Sequence, residues 1–451
     1  MPWKPVPSAA PPAPKTAAAA IPPDLADRIR RLTLVDVIDL ALRNNASTKA
    51  SWADARAAAA AYAVSRNAYL PSATAEGSVT RLKTAATSGR SAVLQTVYGP
   101  SVSLSFLLFD LGGRSGDAIA AREALFAADW THNATIQNVV LQAEQGFFRY
   151  MSQKSLVEAQ RATLEDTEAN LRAADERHRL GLATIADVLQ SRTAASRARL
   201  ALETTQGDLQ STRGALAAAM GLPPNLPYDV EAAPDTLPAP RVQDSVDTLI
   251  TQALRSRPDL AAAWAQARAA RGRARSVRAR GLPSITVEGN AGETYVNRRP
   301  KGSESYSGSV SLQVPLVPFL TGRDDAAEAS AQADAAAARA EALGQQVVSQ
   351  AFASYYALDT AAQRVETSRD LMASARASED VALARYRAGA GSVLDLLQAQ
   401  SALADARAQE IDARWGWYSA LAQLAHDTGV LGLRGEAPFR FGSIDTTGGS
   451  R

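Results

Sequence analysis

The sequence predicts a mainly α protein with a small β part: an internally duplicated set of long coiled-coil helices forming an α-barrel wall. Four membrane β-strands would complete a trimeric, twelve-stranded β-barrel. Three observations predict this. Two fourteen-residue stretches, 177–190 and 385–398, share six positions at a shift of 208: both arginines, a glycine, an aspartate, a leucine and the closing glutamine. Chance gives roughly one match at ordinary residue frequencies. Proline-free Ala/Glu/Arg/Leu-rich segments flank both stretches, and four alternating segments sit between the remaining helical ones.

Residues 1–30 are Pro/Ala-rich with almost no large apolar side chains, and read as an extended, disordered tether. The first structural repeat spans 31–230. Its helix runs from Leu32 to Tyr69, with Leu34, Val37, Ile38, Ala41 and Leu42 on one face. Leu70-Pro71-Ser72 ends it, since a residue before proline is pushed to extended conformations. A β-hairpin follows at about 72–109. Ala73, Ala75, Gly77 and Val79 oppose Thr74, Glu76 and Ser78; a polar loop runs to about Pro100; then Val102, Leu104, Phe106 and Leu108 oppose Ser101, Ser103 and Ser105. Each strand is expected to be about nine residues long. From Ser115 to Leu180 helical sequence is nearly unbroken, about 100 Å at 1.5 Å per residue. The tip at 177–190 follows, where Gly181 lets the chain leave the helix and Thr184 can cap the next, which runs to Met220.

The second repeat, 240–432, has the same plan. Ala253-Leu254-Arg255 matches Ala41-Leu42-Arg43, Trp264 matches Trp52, and Leu282-Pro283-Ser284 matches Leu70-Pro71-Ser72, all at a shift of 212. Its hairpin lies at about 284–317, with Ile285, Val287, Gly289 and Ala291 on one face and Val310, Leu312, Val314 and Leu316 on the other strand's equivalent face. Its tip is 385–398, where Gly389 and Ser392 take the parts of Gly181 and Thr184. A tail, 433–451, closes the chain.

Composition excludes several classes. Lys+Arg 48 against Asp+Glu 46 leaves a formal charge of +2, too balanced for a nucleic-acid partner. With no cysteine, thiolate metal sites, disulfides and cysteine nucleophiles are excluded together. His132, His178 and His426 are scattered, without metal-ligand spacing or a nucleophile–base pair, so neither an enzyme, a catalytic residue nor a cofactor is expected. No apolar run reaches the roughly 18 residues of a transmembrane helix. Four strands cannot close an open-lumen barrel, and lipid does not tolerate open edges, so copies from several chains must complete it. The competing reading, a cytosolic coiled-coil structural protein, accounts for the helices but gives the strands no role.

The ordered set of features resembles the TolC family of outer-membrane channel proteins from about residue 30 to 440. It comprises the duplicated helix–hairpin–helix plan, the Leu-Pro-Ser strand entries, Phe109-Asp110-Leu111-Gly112-Gly113-Arg114 and the two tips. The resemblance implies a homotrimer in outer-membrane lipid, with a helical tunnel through the periplasm and an equatorial region that includes segments such as 221–247. It also implies a periplasmic adaptor protein and an inner-membrane RND or ABC transporter as partners. The chain would be the passive exit duct for small-molecule efflux or type I protein secretion. Adaptor docking would use Arg177, Gly181, Leu182, Ala183 and Thr184 at the first tip, and Arg385, Gly389, Ala390, Gly391 and Ser392 at the second. A periplasmic gate would use Asp395, Asp187, Tyr386 and Gln398. The match is partial: a second acidic ring of the family's best-known member falls on Gln398 here, and its arginine lock falls on Gly391. One acidic ring and a more weakly held closed state are therefore expected. Met1-Pro2-Trp3-Lys4 shows no signal-peptide pattern, so the export signal is expected upstream, where a lipid-bearing cysteine would also fit.

Overall fold

The computed structural model describes residues 29–83, 94–231, 244–297, 301–315 and 318–431. All but the last two residues of the expected tether, the tail at 433–451 and residues 232–243 of the equatorial segment lie outside these. The helices are α1 (Leu34–Asn44), α2 (Ala46–Asn67), α3 (Gly113–Arg179), α4 (Ile185–Ala219), α5 (Val246–Ser256), α6 (Pro258–Arg280), α7 (Pro318–Arg387) and α8 (Val393–Asp427). The strands are β1 (Ser72–Lys83), β2 (Leu94–Phe109), β3 (Ser284–Val296) and β4 (Ser303–Gln313). None of the described helices is long and apolar enough to cross a membrane. The described residues divide into two compact units, each drawing on both repeats: those within 51–132 and 259–344, and those within 29–50, 133–258 and 345–431.

The helix expected from Leu32 to Tyr69 is in fact two. Asn45, in an extended conformation, ends α1, and its Oδ1 accepts from Ser47 N at 2.7 Å to start α2. An asparagine that satisfies orphan groups on both sides of a break leaves no Gly or Pro to signal it. The second repeat breaks at the same place between α5 and α6, where Pro258 opens the new helix and has no N–H to leave unpaired.

The first unit holds the sheet, antiparallel throughout in the order β1-β2-β3-β4. The strands are longer than nine residues, at 12, 16, 13 and 11. β2 begins at Leu94, well before the end of the expected loop at Pro100, because Leu94 to Gly99 pair with β1 across their whole length. Pairing here outweighs the poor strand propensity of Gly99 and Pro100. The register aligns the two expected faces across all four strands. Ala75, Val102, Ala291 and Tyr306 form one apolar row, and Thr74, Ser103, Asn290 and Ser307 an adjacent polar one. Among the described residues nothing covers Val79, Val310 and Leu312 in the apolar rows, which stand exposed. β1 and β4 are the two edges.

Arg114 ties the hairpin to its helices. It donates to Ala68 O at 3.3 Å and Leu108 O at 3.2 Å, with its guanidinium 5.0 Å from the Tyr69 ring centre. The turn before it needs Gly112, at φ 103°. In the same unit α3 and α6 cross at two glycines; a Cβ on Gly116 would lie 2.6 Å from Ser276 N, and one on Gly272 2.7 Å from Ala120 N.

The second unit contains two apolar cores with α8 between them. Trp415 packs with Leu40, Phe148 and Leu216 in one, and Trp417 with Leu249, Leu358 and Leu424 in the other. Two residues apart on a helix, the indoles point to nearly opposite sides. Leu32 closes the first core through a short parallel bridge to Val230, with Leu32 N donating to Asp229 O at 3.0 Å. Beside the second core, Asp427 and Arg257 are both buried. Burial pushes the Asp427 carboxyl up, but hydrogen bonds from His426 and Gln423, with the charges of His426 and Arg257, outweigh it and hold the carboxyl below its ordinary value.

Candidate functional site: the two helical tips

Both tips end their first helix with the same main-chain motif. In the first, Leu182 N donates to Arg177 O at 2.8 Å and Gly181 N to His178 O at 2.9 Å. In the second, Ala390 N donates to Arg385 O at 2.9 Å and Gly389 N to Tyr386 O at 3.1 Å. This pair of bonds is the Schellman motif, which needs a left-handed residue after the helix. Gly181 (φ 75°) and Gly389 (φ 74°) supply it. Each returning helix starts with a capping box, Thr184 with Asp187 and Ser392 with Asp395. The two glycines and both caps stand where the sequence places them.

The aspartates are thus first of all cap residues. Asp187 is the more committed: its Oδ2 accepts from Thr184 N at 2.8 Å and Thr184 Oγ1 at 2.9 Å. Asp395 Oδ2 lies 3.3 Å from Ser392 N. Asp395 is exposed, and with Arg385, Gly391 and exposed Gln398 it lines a cleft of about 400 Å³ on the second hairpin. Gln398 also borders a groove of about 760 Å³ between α4 and α8, with Thr193, Arg197, Ser401 and Asp405.

The tips differ in what they turn outward. Leu180, Leu182, Ile185 and Leu189 are each more than half exposed at the first. At the second the matching positions are Ala388, Ala390, Val393 and Leu397, of which the two alanines are exposed, Val393 is buried and Leu397 is half-buried. Ala183, half-buried, has its carbonyl 2.9 Å from His178 Nδ1.

Tyr386 is only 8% exposed and packs with Val393 and Leu396. Arg177 reaches it from the first tip: Nη1 donates to Tyr386 O at 2.8 Å, and the guanidinium lies 4.8 Å from the ring centre. Tyr386 O therefore accepts from two donors, Gly389 N and Arg177 Nη1. Of the four residues read as a gate, the structure places Asp395 and Gln398 on one cleft and Asp187 in its own cap. Tyr386 is joined to Arg177, a residue read only as a docking group. That pairing depends on residues 209 positions apart and left no local signal.

With this geometry in place, comparison with known proteins defines the class. The family model described as outer membrane efflux protein matches residues 37–222 and 249–430, and the chain belongs to that family. Protein CyaE of Bordetella pertussis is 30% identical over 411 residues, covering 86% of this chain and 82% of that protein. Outer membrane protein OprJ of Pseudomonas aeruginosa is 26% identical over 373 residues, covering 81% and 77%. In structure, the outer membrane protein VceC of Vibrio cholerae superposes with a TM-score of 0.79 at 18% identity, over 88% of this chain and 96% of that one. The protein is an outer-membrane export channel that extends into the periplasm, the exit duct of a tripartite system. Family members are channels rather than enzymes, and the cytosolic-rod reading is overturned.

Proposed function

We propose that three copies of this chain form the duct, that the helical tips dock a periplasmic adaptor carrying an inner-membrane pump, and that Asp395 makes a single acidic ring at the gate. The trimer is supported most by the sheet. Among the described residues its apolar rows are uncovered and its two edge strands have no outer neighbour, a combination that lipid penalises until further strands close the circle. Three copies of four strands make twelve. Docking at the tips is supported by the exposed leucines of the first and the small, shallow surface of the second, which suit the packing of a partner's helical hairpin. The gate reading is supported by the exposure of Asp395 and its loose hold on Ser392 N, which leave its charge available to passing ions. The chain supplies no energy; transport is driven by the inner-membrane partner.

Single-channel recording in a planar bilayer, with protein extracted from outer membranes, tests this. The wild type is expected to give a small, cation-selective conductance, and Asp395→Ala to lose that selectivity. A mutant trace identical to wild type would keep the duct and remove Asp395 from its gate. Protein that never enters the membrane fraction would sink the duct itself.

A further inference from the structure

We infer that the aromatic pair Phe352 and Tyr356 on α7 packs over Gly207 and Gly214 on α4 of the next copy of this chain, and that this contact fixes which face of one copy meets the next. The inference deepens the trimer reading above and rests on it. The two rings lie one turn apart on α7 with their centres 4.8 Å apart, and they are 49% and 48% exposed. Tyr355 beside them packs against the second core and meets Tyr356 edge-on at 5.1 Å. Paired aromatic rings carry a large apolar surface, and leaving both half in water marks a face made for contact.

The duplication names the occupant. A shift of 208 carries α3 onto α7 and α8 back onto α4. Inside the chain α3 and α8 form a packed, antiparallel seam. Phe148 is buried there, its ring centre 5.3 Å from Tyr418 and 6.3 Å from Trp415, and Gln145 Nε2 donates to Gln423 Oε1 at 3.0 Å. The counterpart of Phe148 is Tyr356, and those of Trp415 and Tyr418 are Gly207 and Gln210. That interface joins the first repeat to the second. Continued once more, it joins the second repeat of one copy to the first repeat of the next. Tyr356 then rests over Gly207 and Gln210, and Phe352, one turn earlier, faces one turn further along α4, at Gly214. These two glycines are seven residues apart and so share one face of α4. Both sit inside a helix, where glycine is less favourable than alanine. Among the described residues no atom lies within 4 Å of a Cβ placed on Gly207, and one on Gly214 meets Pro224 Cβ at 3.8 Å, an ordinary contact. Packing inside the chain therefore gives neither glycine a reason to be small. The bulk has changed sides: Trp415 becomes Gly207 on one helix, and Glu144 becomes Phe352 on the other. Two seams filled from opposite sides cannot be interchanged, which discriminates against wrong pairings of the repeats.

Because the chain has no cysteine, disulfide trapping reads this seam directly. Full-length protein from outer membranes, carrying Tyr356→Cys and Gln210→Cys together, is expected after mild oxidation to run as covalent dimer and trimer on a denaturing gel without reductant. Each single variant is expected to run as a monomer, because the two faces differ. Covalent dimers from Tyr356→Cys alone would mean that the face meets itself, and overturn the inference. So would a double variant that stays unlinked, or links within one chain, while light scattering shows a trimer. A wild type that is not trimeric by light scattering would remove the trimer reading and the seam with it. Should the cysteine pair fail to assemble, size decides. Gly207→Trp is expected to lower the trimeric fraction several-fold, and adding Phe352→Glu, which copies the pairing inside the chain, to restore it. A wild-type trimeric fraction from Gly207→Trp, or no restoration by Phe352→Glu, overturns the seam.

Discussion

The two tips have nearly the same main chain and different side-chain surroundings. Each ends a long helix with Gly in the left-handed region, carries the same pair of closing bonds and restarts with a Thr or Ser cap backed by Asp. Yet Tyr386 is buried where His178 is exposed, Arg177 reaches across where Arg385 folds back, and more large apolar groups project from the first tip, where Leu180, Leu182, Ile185 and Leu189 are exposed, than from the second, where Leu394 is. Duplication has kept the residues that the turn's geometry requires. It has let the surfaces diverge, one leaving Leu180, Leu182, Ile185 and Leu189 exposed and the other burying Tyr386 and Val393.

Substitution at matched positions tests that contrast. The largest difference is expected between Tyr386→Ala and His178→Ala. Removing a buried aromatic ring costs about 3–4 kcal/mol, whereas the exposed imidazole is expected to cost within about 0.5 kcal/mol. Unfolding free energies measured on the purified protein check this, and similar losses at both would mean the tips are packed alike. Next come Gly181→Ala and Gly389→Ala, for which strain should be shared equally. No atom lies within 4 Å of a Cβ at Gly181, and only an Arg177 nitrogen, at 4.0 Å, is near one at Gly389. Each should therefore lose about 1–2 kcal/mol from the left-handed backbone alone; a marked inequality in thermal stability would reveal a constraint that the turn geometry does not contain. The smallest contrast is between the caps. Thr184→Ala and Ser392→Ala should each cost about 1 kcal/mol. Thr184 should cost slightly more, because its Oγ1 both accepts from Asp187 N and donates to the Asp187 carboxylate, whereas Ser392 Oγ is bonded by Asp395 N. Reversal of that order in the same unfolding assay would refute the reading of Asp395 as the looser cap residue.

These contrasts also mark what could be read before the fold was seen. The glycines and caps were legible because each acts within about six residues, and residue type alone decides which can adopt φ 75° or accept an N3 amide. The strand faces were legible because alternation has a period of two, and the register then aligned Ala75, Val102, Ala291 and Tyr306 as the alternation requires. The full length of β2 was not: Gly99 and Pro100 look like loop, and only pairing with β1 makes them strand. The break at Asn45 was hidden for a similar reason, since one residue serves two helix ends, its backbone N–H closing α1 on Ala41 O and its side chain opening α2. Arg177 and Tyr386 were both singled out, but as members of separate sites; nothing local to either records that they meet.

The oxygen at which they meet has a further consequence. Tyr386 O takes both the amide of Gly389, which closes the second turn, and the guanidinium of Arg177, which joins the hairpins. One carbonyl is thus a mechanical junction, with the turn and the cross-hairpin bond connected through a single atom. A substitution that displaces this one carbonyl is therefore expected to weaken the turn and the cross-hairpin bond together.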